Sequence, residues 1–185
     1  MGLLKDGINE VIATTAVNAA PIGIRIRDKK AGMLLYAGTH TAHNVERDGW
    51  VVANIIHDPV LYVKTAFDDL PGSAFVEEPV AEKTMYRLRD AEGWVAFTAT
   101  IEQSTTEAMM VRLVQEKEIM EGVYLHPVNR GFNSIVDATV HATRYRIGKE
   151  TRLRHLIDYH ADIVKKCGGK KELEALELLM GYIGE

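Results

Sequence analysis

The sequence predicts an α+β chain, mainly β over residues 1–125 and helical over 126–185. Three observations carry this. Short runs rich in β-branched or alternating residues, divided by turn-forming residues, fill the first part of the chain. After Pro127 the texture changes, and apolar residues recur three and four apart. With 185 residues and a 46% hydrophobic composition, the chain can bury one sizeable core and carry a small helical appendage.

Ile8–Val17 is rich in β-branched residues and forms the first expected strand. Ile22–Arg27 alternates strictly, with the isoleucines on one face and Gly23, Arg25 and Arg27 on the other. Asn18-Ala19-Ala20-Pro21 joins these two runs through small residues. Asp28–Gly32 is a turn and Met33–Ala37 a third, apolar strand. Thr39–Asp48 has the pattern of a short helix ended by Gly49, with Thr39 or Thr41 able to cap its first turn. Trp50–Ile56 has few polar positions, which suits a strand buried on both faces. Asp58-Pro59 starts a helix that runs to about Phe67. Phe75–Ala81 contains Pro79 and can be only an edge strand or an irregular crossing. Lys83–Arg89 and Trp94–Ile101 are expected to pair around Asp90–Gly93. Met109–Met120 fits a helix or a strand; Ser104-x-x-Glu107 resembles a capping box, but the fold as a whole needs a strand there. Three helices follow, ending near Gly148, at Gly168-Gly169 and near Ile183.

Composition excludes several function classes. A net charge of −4 has the wrong sign for a protein that neutralises nucleic-acid phosphates. No apolar run reaches the roughly 18 residues of a membrane span. Met1–Gly7 lacks the charged start and apolar stretch of a secretory leader, and Asp6 stands where a Met1-Gly2 acylation site wants Ser or Thr. The lone cysteine, Cys167, permits no internal disulfide, and a reducing, cytoplasmic setting fits. Phosphate-binding P-loop, Rossmann and nucleophile-elbow motifs are missing. His40 and His43 could share a helix face, but no third metal ligand is near in sequence. Asp137, His141 and Arg144 make one stripe of a helix, either a solvated or interface-facing edge or a pocket lining. His155 with Asp158 suits an ordinary surface pair.

Two stretches remain as one candidate site for a phosphorylated ligand. Small residues at Asn18–Ile22 would let a flat molecule lie against the backbone, with peptide N–H groups free for its edge. Thr39, His40, Thr41 and Asn44 offer hydroxyls, an imidazole and an amide at a helix N-terminus, where a phosphate dianion is well placed. The same residue types also serve plain helix capping. Arg25 or Arg27 could add a charge-assisted contact.

The order of a first strand, Asn18-Ala19-Ala20-Pro21-Ile22-Gly23, Thr41-x-x-Asn44-Val45 at a helix start and Val51-Val52-Ala53-Asn54-Ile55 resembles the flavin-reductase branch of the FMN-binding split barrels. With Asn129–Asn133 and Val140–Arg144 in its helical C-terminus, the chain is most similar to a mainly archaeal group of uncharacterised split-barrel flavoproteins. The resemblance implies a split β-barrel over 1–125 and a three-helix extension over 126–185, packed on the barrel or on a dimer partner. It implies FMN as cofactor and a homodimer with the flavin near the interface. Asn18, Ala19, Ala20, Pro21 and Ile22 would line the ring; Thr39, His40, Thr41 and Asn44 would hold phosphate or ribityl, with Arg25 as a further candidate. The sequence departs from typical flavin reductases in lacking a Gly-Asp-His late in the barrel, on the nicotinamide side, so the resemblance does not extend to NAD(P)H. A flavin performs redox chemistry itself, which accounts for the want of a catalytic acid, base or nucleophile. The reading is an FMN-dependent oxidoreductase; the alternatives are a flavin carrier or electron-transfer module, or a binder of another phosphorylated heterocycle such as a pterin or pyridoxal compound.

Overall fold

The computed structural model describes residues 2–184; Met1 of the acylation-like start lies outside them. Strand β1 (Gly7–Thr15) turns into β2 (Asn18–Arg27) through only Ala16 and Val17. Ala16 takes φ 51°, as one of the tight hairpin turns demands. The small residues Asn18–Ile22 are therefore the first half of a strand and not a loop between strands. A second two-residue turn, Asp28-Lys29, with φ 50° and 63°, leads to β3 (Lys30–Tyr36). Helix α1 (His40–Asp48) follows, then β4 (Trp50–Ile55) and helix α2 (Pro59–Phe67). Beyond a single 3-10 turn lie β5 (Phe75–Val80), β6 (Lys83–Leu88), β7 (Gly93–Ser104) and β8 (Ala108–Met120). Helices α3 (Arg130–Gly148), α4 (Thr151–Cys167) and α5 (Lys170–Ile183) complete the chain.

Six strands close into a barrel in the order β1-β2-β3-β8-β7-β4, with β4 returning to β1 at Ile12↔Asn54 and Thr14↔Val52. Alternation explains the core: Val11, Ala13, Ile24, Ile26, Met33, Leu35, Val51, Ala53, Val95, Phe97, Val111 and Leu113 are buried in one cluster. Trp50, Val52, Trp94 and Ala96 leave β4 and β7 on the other side and are buried with Val80 and Met85 of a separate β5–β6 sheet. This is why β4 has hydrophobic residues on both faces. It also corrects one expectation. Lys83–Leu88 pairs with β5, while β7 pairs with β4 and β8, so the two runs flanking Asp90–Gly93 are not partners.

Buried polar bonds fasten the small sheet to the barrel. Asn54, wholly buried, donates from Nδ2 to the Ile12 carbonyl (2.9 Å) and to Thr14 Oγ1 (3.0 Å) and accepts from the Leu88 N–H (2.7 Å). Glu78 of β5 takes Arg87 at 2.9 Å and Lys117 at 3.4 Å, and both cations lie over the Trp94 ring.

The chain divides into two units: 1–56 with 70–124, and 57–69 with 125–185. The second is all helical. Val63 of α2 joins Ile135, Ala138, Ile157, Val164, Leu176 and Leu179 in its core, so the three C-terminal helices are joined by a fourth from mid-chain. Asp58 caps α2 through the Val60 and Leu61 N–H groups, and Asn129 caps α3 through those of Gly131 and Phe132. At Gly131 a Cβ would meet Gly168 Cα at 2.5 Å, so the start of α3 touches the end of α4 backbone to backbone. Among the described residues no helix is long and apolar enough to cross a membrane.

Candidate functional site

Pro21 decides which way the peptide groups of β2 point. It sits opposite Ile12 and has no N–H, so that pair cannot be one of the hydrogen-bonded pairs of the antiparallel ladder. The peptide groups of Ala20 and Ile22 then face β1, and those of Ala19 and Gly23, with the Pro21 carbonyl, face the other way. On that other side β3 pairs only with Arg25–Arg27. Asn18–Ile24 thus presents an edge that no strand covers among the described residues. A proline on it is what an edge permits. Ala19 is buried, and Ala20, Pro21 and Ile22 are half-buried.

Helix α1 brings the second stretch to the start of this edge. Thr39 is its N-cap: Oγ1 accepts from the Ala42 N–H at 3.2 Å and donates to the Tyr36 carbonyl at 2.9 Å. The first intrahelical bond here runs from the His43 N–H to the Thr39 carbonyl, so the amides of His40 and Thr41 have no acceptor within the helix. The first turn holds no acidic residue, which leaves the positive end of the helix dipole uncompensated. Thr41 is buried and accepts a hydrogen bond from Asn18 Nδ2 at 3.1 Å. The two stretches therefore meet through named side chains. His40 is exposed beside them.

Asn44 and Arg25 are placed differently. Asn44 Nδ2 donates to the Thr15 carbonyl (3.1 Å) and to Thr15 Oγ1 (3.3 Å), which ties α1 to the end of β1. Its amide nitrogen is used in positioning. Arg25 lies seven residues along β2 from Asn18, roughly 23 Å at the usual strand rise. It points outward into a groove of about 1100 Å³ on the barrel's outer face, with Arg27, Lys30 and Arg112 around Gly23 and Gly32. The structure does not bring Arg25 together with the α1 cluster.

Similarity to known proteins follows this architecture closely. The model of the N-terminal domain of a protein family of unknown function, DUF447, matches residues 9–122, and the model of its C-terminal part matches 129–181. The chain belongs to the DUF447 family. Among solved structures it is similar to the FMN-bound DUF447 protein MM1853 of Methanosarcina mazei, with 34% identity and a TM-score of 0.91 over 96% of each chain. It is 24% identical to the uncharacterised protein MJ1453 of Methanocaldococcus jannaschii, over 94% of this chain and 96% of that one. The 2-nitrobenzoate 2-nitroreductase NbaA of Pseudomonas fluorescens, at 14% identity and a TM-score of 0.51 over 65% of this chain and 68% of that one, shares the fold alone.

Two features of this DUF447 site escape a reading of local pattern. Thr15, which holds Asn44, is visible in the sequence only as one more β-branched strand residue. The uncovered edge of β2 is a property of where β3 stops pairing, and only Pro21 hints at it.

Proposed function

We propose that the chain binds FMN along the free edge of β2 and the first turn of α1, passes hydride or electrons through it, and works as a homodimer. Kinship with an FMN-bound family member, at 34% identity over 96% of both chains, carries this reading. The residues present fit the group. The α1 amides of His40 and Thr41, with the Thr41 hydroxyl, form an anion-holding helix start that the Thr39 cap holds in shape. The small side chains of Ala19 and Ala20 let a flat ring approach the backbone, and the outward peptide groups of Ala19 and Gly23 can bond its edge.

Bound FMN supplies the redox chemistry. The chain's own part is to bind and orient. Asn18 fixes the rotamer of Thr41, and Asn44 fixes α1 against β1, so the phosphate-facing groups are set before the ligand arrives. The test is direct. Purified protein is expected to carry flavin absorbance or to take up FMN with one ligand per chain. A colourless protein that ignores added FMN overturns the reading. Bleaching of bound flavin by NADH or NADPH at catalytic rates marks an oxidoreductase with a nicotinamide donor; bleaching only by a protein donor or dithionite marks an electron-transfer module.

A further inference from the structure

The stripe Asp137, His141 and Arg144 of α3 has no part in the flavin reading. In the helical unit His141 meets His160 of α4, with ring centroids 5.7 Å apart and planes 33° from parallel. Both Nδ1 atoms are buried, and among the described residues neither has a hydrogen-bond partner. Buried ring nitrogens are normally paired, and two unpaired ones on adjoining rings call for a shared explanation.

A zinc-like ion sits about 2.0–2.1 Å from an imidazole nitrogen and so about 3.2 Å from the ring centroid. Two rings sharing one ion at an angle between tetrahedral and trigonal have centroids about 5.2–5.5 Å apart, close to the 5.7 Å seen here. We propose that His141 and His160 form a two-histidine clamp for a divalent transition cation of the zinc or nickel class. Imidazole suits these ions and not magnesium, which takes oxygen ligands. Burial first, and then His160, push the His141 pKa down; Asp137 opposes them and Arg144 and Arg152 add to them. Among the described residues no group of three His, Cys, Asp or Glu side chains could hold a metal ion. The two imidazoles are the only protein donors of the clamp among the described residues, and water fills the remaining positions. The ion pins α3 to α4 and is exchangeable.

The experiment titrates the purified full-length chain, free of any histidine tag, with ZnCl2, NiCl2 and MgCl2 by calorimetry. One zinc or nickel per chain is expected, and no magnesium. His141→Gln and His160→Gln should each weaken zinc binding at least about tenfold and cancel the rise in melting temperature that zinc gives the wild type. His155→Gln, an exposed position on the same helix as His160, should leave both unchanged. Nitrogen-15 spectra of the wild type supply a readout that does not depend on the variants folding. Zinc should shift the Nδ1 resonances of two of the seven histidines. Absence of saturable zinc binding, binding that survives both substitutions, or shifts at other histidines such as the stacked His57 and His126 would each overturn the clamp. None of these readouts involves flavin.

Discussion

At the scale of single residues, Thr41 joins the two halves of the candidate site, since it offers a hydroxyl at the helix start and accepts the Asn18 amide. Thr41→Ala is expected to weaken FMN by about tenfold or more, or about 1.4 kcal/mol, in a fluorescence-quenching titration. Cys167→Ala, in the other unit, should leave the affinity within about twofold. Equal effects would remove Thr41 from the site. Asn54 is the structural counterpart. Its replacement by alanine orphans the Leu88 N–H and leaves a cavity, and should cost about 2–4 kcal/mol in urea unfolding. Legibility differed between such residues for a physical reason. Thr39 could be read as a cap because its partner is three residues away. Asn44 could not be assigned its task because Thr15 lies 29 residues back along the chain.

At the scale of elements, the helical unit depends on how its ends are finished. The Asp58 carboxylate caps α2 and bonds Lys171 of α5 at 2.8 Å. Burial alone would raise its pKa, but the Lys171 ammonium and the Leu61 and Val60 N–H groups together hold it below the ordinary value of 3.8. A carboxylate with a depressed folded pKa contributes stability above its unfolded pKa and loses it as pH falls through the folded one. Asp58→Asn should therefore flatten the acid limb of the stability curve below about pH 4, and Asp58→Ala should cost about 1 kcal/mol at neutral pH, read by thermal melts across pH. Gly131→Ala forces α3 away from Gly168 and should cost about 1–3 kcal/mol. Gly148→Ala, whose Cβ meets nothing nearer than 3.6 Å, serves as the control in the same circular-dichroism melts. Most elements were legible because period and capping are local. The pairing of β6 with β5 was not, since alternation marks a strand without naming its neighbour.

At the scale of the whole molecule, the outer face of β1, β2, β3 and β8 exposes Ile8, Leu34, Met110 and Val114 around the floor left by Gly23 and Gly32. These apolar side chains are interleaved with Arg25 and Arg112 on the same outer face, and such a mixed face is suited to a second copy of the chain. The proposed homodimer is expected to form through it. Leu34→Glu would bury a carboxylate in that interface, and should convert a dimeric mass to a monomeric one in light scattering at tens of micromolar protein. A monomeric wild type, or an unaltered dimer in the variant, would exclude this face. Self-association was implied in the sequence only by family resemblance, because Ile8 and Leu34 carry no mark distinguishing an outward residue from an inward one until the register is known.

The bare edge of β2 has a consequence for the protein's life outside its function. Backbone open to a ligand is equally open to a strand from a neighbouring molecule, the usual first step of aggregation. Pro21 leaves a gap in the row of donors on that edge, and a resident ligand would cover the rest. With FMN on that edge as proposed, supply of the cofactor and solubility of the chain would be linked: protein made faster than its ligand is delivered would carry an unguarded template, and the loaded form would not.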